Sequence, residues 1–188
     1  MGENVVIING ATREDGNTDR ILDEIQGGAS DTGIEILVYN LRELEISDCI
    51  GCCQCLQESK CHFQDDMNLI RRSVEISDLI IFASPIYWCD VTGIMKTFID
   101  RLYFYHHEVN AHLISGKRAL VIATLGETNI FWETEVLISF FNRLFFSLKI
   151  DLVDMEFFGG LMEKDAIQNK SEYLVRAYGL GLKIPELF

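Results

Sequence analysis

The chain predicts an α/β fold, a doubly wound five-stranded parallel sheet with helices on both faces. Two observations carry this. Short, continuous runs of β-branched and aliphatic residues alternate with stretches of helical apolar spacing, five times in 188 residues. Strands apolar throughout require cover on both faces, and short links with right-handed crossovers turn such an alternation into a parallel sheet. The length suits one domain over 1–188 with a core that needs no staples.

The elements follow in order. Val5–Ile8 is the first strand and Thr18–Gln26 the first helix, with Thr18 a natural N-cap. Ile34–Tyr39 alternates more and belongs nearer a sheet edge. Asp66–Ile76 places Met67, Ile70 and Val74 on one face, with Leu69 and Ile76 beside them and Asp65 or Asp66 as N-cap. Strands then fall at Leu79–Ala83, Ala119–Thr124 and Leu152–Phe158, and helices at Thr92–Tyr103, Glu133–Leu148 and Ser171–Leu182. The one long irregular segment, about Leu44–Gln64, contains a cysteine-rich loop at about 45–65. Irregular segments of that length in compact domains carry function or disorder, and the cysteine density points to function.

Sixteen basic against 29 acidic side chains give a net charge of −13. That balance argues against a nucleic-acid or anionic-membrane surface, and its plain consequence is solubility. Met1-Gly2-Glu3 leads straight into an apolar strand, without a basic region and cleavable apolar stretch, so no secretory signal is expected. Val6 stands where myristoylation wants Ser or Thr, and no apolar run approaches the ~20 residues of a membrane helix. A cytoplasmic protein with reduced thiols is the expectation, which makes a disulfide framework the weaker explanation of the cysteines.

Five of the six cysteines lie between 49 and 61. Cys49, Cys52, Cys55 and Cys61 form Cys-x2-Cys-x2-Cys-x5-Cys, with Cys53 an extra thiol beside them. Four converging thiolates suit tetrahedral zinc or an iron–sulfur cluster. The compact first three favour a cluster, because structural zinc more often separates two Cys-x2-Cys pairs by a longer stretch. Thiols that bind nothing are the main rival.

In an open parallel sheet, ligands sit beyond the carboxyl ends of the strands. After strand 1 comes Asn9-Gly10-Ala11-Thr12-Arg13-Glu14-Asp15-Gly16-Asn17-Thr18, where glycines, hydroxyl and amide groups meet a helix N-terminus and favour an anion. The loop is neither GxGxxG nor a Walker loop, so a single phosphomonoester fits better than a dinucleotide or triphosphate. Glu14 and Asp15 are expected to face solvent. After strand 3, Pro85 fixes the exit and Ile86, Tyr87 and Trp88 follow. An exposed aromatic pair there suits a flat conjugated ligand, or burial against a partner subunit. The loop after strand 4, Leu125-Gly126-Glu127-Thr128-Asn129, lies on the same edge and says little alone. Cys89 reads as a packing thiol before a redox one, and His62, His106, His107 and His112 as exposed polar residues. No catalytic side chain is assigned.

Taken together, these residues resemble the flavodoxin-like NADPH-dependent FMN reductase family over essentially the whole chain, nearest its iron–sulfur flavoproteins. The resemblance rests on Gly10-x-x-Arg13-x-x-Gly16-Asn17-Thr18, the Cys49–Cys61 run ending in Asp65-Asp66-Met67, and Ser84-Pro85-Ile86-Tyr87-Trp88. It continues through Gly93-x-x-Lys96-x-Phe98-x-Asp100-Arg101 and Gly116-Lys117-Arg118. It implies FMN with its phosphate on Thr12–Thr18, its ring edge against Pro85–Trp88, and Thr124, Leu125, Gly126 and Glu127 completing the ring pocket. It also implies homodimers or homotetramers with the flavin near the subunit boundary, and a [4Fe–4S] cluster on the cysteine run close to the flavin.

The family usually has Ser where this chain has Ala11, which removes a hydroxyl donor worth ~1 kcal/mol; Thr12 is placed to replace it. Three functions follow. One is a flavin-dependent oxidoreductase or electron-transfer protein, fed by NAD(P)H or a ferredoxin-type donor. The second is a cluster-free NAD(P)H-dependent FMN or quinone reductase. The third is a non-enzymatic flavodoxin-like binding module that retains no FMN.

Overall fold

A computed structural model describes residues 4–188; Met1, Gly2 and Glu3, on which the reading of the N-terminus as no signal or lipid site rested, lie outside the described residues. The elements run β1 (Val5–Asn9), α1 (Asn17–Asp31), β2 (Ile36–Asn40), α2 (Cys55–Glu58), α3 (Met67–Ile76), β3 (Leu79–Pro85), α4 (Gly93–Arg101), α5 (Glu108–Ala111), β4 (Arg118–Thr124), α6 (Phe131–Leu148), β5 (Asp151–Phe158) and α7 (Ser171–Lys183). The five strands form one sheet in the order β2-β1-β3-β4-β5. Every pairing is parallel. The strand order reverses direction after β1, and the loops following β1, β3 and β4 share one edge, where α/β sheets of this winding hold ligands.

The continuous apolar strands are explained by cover on both sides. Val6, Ile8, Ile80, Phe82, Val121 and Ala123 pack against α3, α4 and α6 through Ile70, Val74, Met95, Phe98, Phe141 and Phe145. Val5, Ile7, Ile81, Leu120 and Ile122 face α1 and α7 through Ile21, Ile25, Ala29 and Ala177. No helix among the described residues is long and apolar enough to cross a membrane.

Several boundaries differ from the sequence reading, each for a local reason. The helix expected to stop at Gln26 continues to Asp31, through Gly27 and Gly28. At Gly28 a Cβ would collide with the Tyr178 carbonyl, and at Gly181 one would collide with the Ile25 carbonyl. These glycines let α1 and α7 touch backbone to backbone. Gly33, at φ 86, then reverses the chain, and Ile34 N–H closes on Ala29 O at 3.0 Å, so β2 begins at Ile36. The helix expected over Thr92–Tyr103 is α-helical only to Arg101 and tightens to a 3₁₀ turn beyond it. Thr18 is not the N-cap of α1, which is Gly16. Asp66 occupies the cap position of α3 without capping it, and its carboxylate instead accepts from Glu45 N–H at 2.8 Å.

Candidate functional site

The loop after β1 is braced from below. Asn9 Oδ1 accepts from Ala11 N–H at 3.0 Å, and its Nδ2 donates to Asp19 Oδ1 at 2.7 Å and to Asn40 Oδ1 at 3.0 Å. Arg42, just past β2, donates to Asp19 Oδ1 at 3.1 Å and to the Ala11 carbonyl at 3.3 Å. Gly10 lies behind the loop: its N–H donates to Ala83 O, its carbonyl accepts from Thr92 Oγ1, and a Cβ would meet Met95. A turn with Asp15 at φ 53 brings the chain to Gly16, and α1 begins at Asn17. The N–H groups of Asn17, Thr18 and Asp19 therefore have no partner within the helix and point out of its positive end. Glu14 and Asp15 are exposed, as expected.

The Asn17 side chain is not free to donate to an anion. Its Nδ2 donates to Leu161 O at 3.1 Å and Glu163 O at 2.7 Å, and its Oδ1 accepts from Ile167 N–H at 3.0 Å. Arg13 donates to Met162 O at 3.0 Å. Thr18 Oγ1 lies 2.8 Å from Thr124 Oγ1, and Thr12 Oγ1 lies 3.4 Å from the Tyr87 hydroxyl. The β1–α1 segment is thus sewn to the loops after β3 and β5 and to the end of β4.

These loops enclose a cavity of about 590 Å³. Ala11, Arg13, Gly16, Asn17 and Thr18 line one end, Pro85, Ile86, Tyr87 and Trp88 one wall, and Thr124, Leu125, Gly126 and Glu127 another. Of the predicted cofactor residues only Gly10 and Thr12 lie outside the lining. Leu161, Met162 and Glu133 also line it, and the sequence reading missed them because they come from the β5–α7 loop and the first turn of α6. Cys89, expected to be a packing thiol, is half-exposed on the same cavity. Trp88 and Cys89 are the central residues of a tight turn closed by Tyr87 N–H to Asp90 O at 2.8 Å, and both have positive φ, 53 and 63. Trp88 is fully exposed at 100 %. The volume matches that of cofactor sites, and open helix N–H groups at one end with aromatic side chains at the other match a phosphate joined to a flat ring.

The cysteine run forms a second, separate corner. Cys49, Cys52, Cys53, Cys55 and Cys61 all line one small cavity of about 30 Å³, with Phe63, Arg101, Tyr103 and Phe104. Burial, then the neighbouring thiols of Cys61, Cys49 and Cys52, push the Cys55 thiol up. The four predicted ligands thus share one corner with Cys53, which is exposed and has φ 57. Among the described residues no three His, Cys, Asp or Glu side chains stand at metal-holding distance. The soft donor set fits a cluster, while its spacing as folded is looser than ligation requires. Cys49 and Cys52 are exposed, Cys55 and Cys61 half-buried.

Arg101, at the C-terminus of α4, organises this corner although it is 4 % exposed. It donates to both oxygens of Asp65, at 2.7 and 3.1 Å, to Ser47 O at 2.7 Å and to Cys61 Sγ at 3.3 Å, with the Phe63 ring 5.0 Å from the guanidinium. Burial pushes the Asp65 carboxyl up, but the Arg101 and Ser47 hydrogen bonds outweigh it and hold it below the usual range. The cavities at the two corners share no lining residue. Arg101, the last residue of α4, lines the cysteine corner, while no residue of α4 lines the larger cavity.

The sequence model of the NADPH-dependent FMN reductase family matches residues 4–149. An iron–sulfur flavoprotein of Archaeoglobus fulgidus is 33 % identical over 181 residues, covering 96 % of this chain and 78 % of the relative. An iron–sulfur flavoprotein of Clostridioides difficile is 33 % identical over 125 residues, 64 % of this chain and 53 % of that one. Among solved structures, an NAD(P)H:quinone oxidoreductase from Methanothermobacter marburgensis superposes with a TM-score of 0.77 at 20 % identity, covering 98 % of this chain and 100 % of that one.

Proposed function

As the chain belongs to the NADPH-dependent FMN reductase family and to its iron–sulfur flavoprotein subgroup, we propose that this FMN oxidoreductase is an electron-transfer flavoprotein: it holds FMN in the cavity between the β1, β3 and β4 loops and a [4Fe–4S] cluster on Cys49, Cys52, Cys55 and Cys61. The whole of 1–188 acts as one unit in this reading. FMN, when bound, supplies hydride and one-electron chemistry. The protein supplies the rest. The N–H groups of Asn17, Thr18 and Asp19 and the Arg13 guanidinium receive the phosphate, and Tyr87 and Trp88 cover the ring. Ile86 and Tyr87 N–H are already taken, by Thr124 O and Asp90 O at 2.8 Å each, so backbone donors to the ring edge come from the turn at Trp88 and Cys89.

The observation that carries the flavin part is the joining of an anion loop and an aromatic wall in one cavity of about 590 Å³. The cluster part is supported by four thiols that face one cavity and by the names of the relatives. NAD(P)H is the expected co-substrate, with a ferredoxin-type protein as the other source of electrons. Six free thiols suit the reducing cytoplasm. Exposed Phe131, Trp132, Val136 and Phe146 on α6 suit burial in a homodimer or homotetramer.

The test is anaerobic purification with absorption spectrum, flavin identification, and iron and acid-labile sulfide analysis. Stoichiometric FMN with about four iron and four sulfide per chain is the expected result. FMN without iron would select the second reading, a cluster-free NAD(P)H-dependent FMN or quinone reductase, which the loose thiol spacing favours. Colourless protein after desalting would sink both.

A further inference from the structure

Cys49, Cys52 and Cys55 lie within seven residues of sequence and line one cavity, while Cys61 stands further along the chain. It lies beyond α2, whose one turn ends at Ser59 with φ 51, and Gln64 Nε2 donates to its carbonyl at 3.3 Å. What holds its sulfur is a group from elsewhere in the chain. Arg101 donates to Cys61 Sγ at 3.3 Å through the same nitrogen that reaches Asp65 Oδ1 at 3.1 Å. Its other terminal nitrogen takes Asp65 Oδ2 and Ser47 O, each at 2.7 Å. Ser47 N–H donates in turn to Asp65 Oδ2 at 3.0 Å. One buried guanidinium thus ties the entrance of the loop, at Ser47, to its exit, at Asp65, and hangs Cys61 between them. Thr97, one turn back on α4, adds a bond to Asp48 at 2.6 Å.

We infer that Arg101 is the positioning residue that makes Cys61 the fourth thiolate of the soft-metal site; this rests on the proposed reading of the cysteine corner. The demand is geometric. Four contacts from two nitrogens, to a carboxylate, a carbonyl and a sulfur, need the fixed fork of a guanidinium, and an ammonium on a flexible stem supplies only three donors around one point. The fork also sets a positive charge against sulfur that must carry negative charge to bind metal.

Co²⁺ is the probe, because its thiolate charge-transfer absorption reports how many sulfurs bind without requiring cluster assembly. Anaerobic, reduced wild type should titrate to a four-thiolate tetrahedral spectrum. Cys61→Ser and Arg101→Lys should each fall to three-thiolate intensity, and the double variant should be no lower than either single one, because both act through the same sulfur. A purely scaffolding arginine would not give that non-additivity. Circular dichroism and the thermal transition establish that the variants fold. If Arg101→Lys does not, Arg101→Gln with Asp65→Asn leaves no buried charge unpaired and carries the same comparison.

Full four-thiolate intensity in the arginine variants overturns the inference, and so does a double variant below both singles. Wild type with no thiolate band overturns it together with the metal reading. Wild type that takes Co²⁺ on four thiolates but no iron and sulfide sinks the cluster alone, and the variants still decide the role of Arg101.

Discussion

The hydroxyls of Thr18 and Thr124 meet at 2.8 Å in the interior, joining the first turn of α1 to the last residue of β4 across 106 positions of sequence. Both residues are buried and both line the large cavity. The bond locks the helix N-terminus at one end of the cavity to its β4 wall.

Removing one hydroxyl leaves the other buried without this partner. Thr18→Ala and Thr124→Val should each lower stability by ~1–2 kcal/mol, and FMN should dissociate roughly 10-fold more readily, as expected for ~1.4 kcal/mol of misplacement. Urea unfolding and flavin fluorescence on dilution measure the two effects. Additive losses in the double variant would show that the two hydroxyls act independently.

Asn17 carries three bonds to the loop over 161–167 and none to the cavity through its side chain. Asn17→Ala should cost ~2–3 kcal/mol, and Asn17→Asp should cost nearly as much, because a carboxylate facing the Leu161 and Glu163 carbonyls cannot donate. Hydrogen exchange should quicken at Ile167 in Asn17→Ala, while Asn17→Asp keeps an acceptor for that N–H. Unchanged exchange there in Asn17→Ala, with weakened FMN alone, would return Asn17 to a direct role at the phosphate.

The Asp65–Arg101 pair sets an acid limit on the cysteine loop. The folded carboxyl titrates below its ordinary value of 3.8, so the ionised pair contributes fully at any pH above that value and is lost only as pH falls through the lower folded one. Hydrogen exchange at Ser47 N–H, which donates to Asp65, should stay flat relative to its unprotected rate from neutrality down to about pH 4 and rise steeply below it. A rise centred near pH 6 would contradict the pair.

Trp88 and Cys89 sit where a turn with positive φ at both central positions prefers Asn-Gly. Trp88→Asn with Cys89→Gly should raise stability by ~1–2 kcal/mol by releasing this strain, and should weaken FMN retention several-fold by removing the aromatic cover. A thermal melt and a flavin binding isotherm on the same variant test both halves. A loss of stability would mean that the Trp88 ring packs on protein rather than serving a ligand.

The strands and the three loops were legible because they depend on local pattern: apolar runs for Val5–Asn9 and Leu79–Pro85, and glycine and hydroxyl chemistry for Gly10–Thr18. What escaped reading depends on groups far apart in the chain. Gly27-Gly28 looks like a helix stop until α7 occupies the space a side chain would need. Asn17 looks like a ligand for phosphate until the loop at 161–167 claims its amide. Arg101 sits in a recognisable Asp-Arg pair, but nothing in its neighbours announces a carboxylate 36 positions away and a thiol 40 positions away. Leu161 and Met162 are plain apolar residues whose place in the cavity wall follows from tertiary packing alone.

The clasp of α1 against α7 at Gly28 and Gly181, with Asn17 bonded to Ile167 across 150 positions, has a consequence for synthesis. Translation delivers the anion loop within the first twenty residues and its lock some 150 residues later, at ~5–20 residues per second. On the ribosome the nascent chain therefore carries the loop for many seconds without the wall that shapes it. The loop takes its final shape only once residues 161–167 have been made.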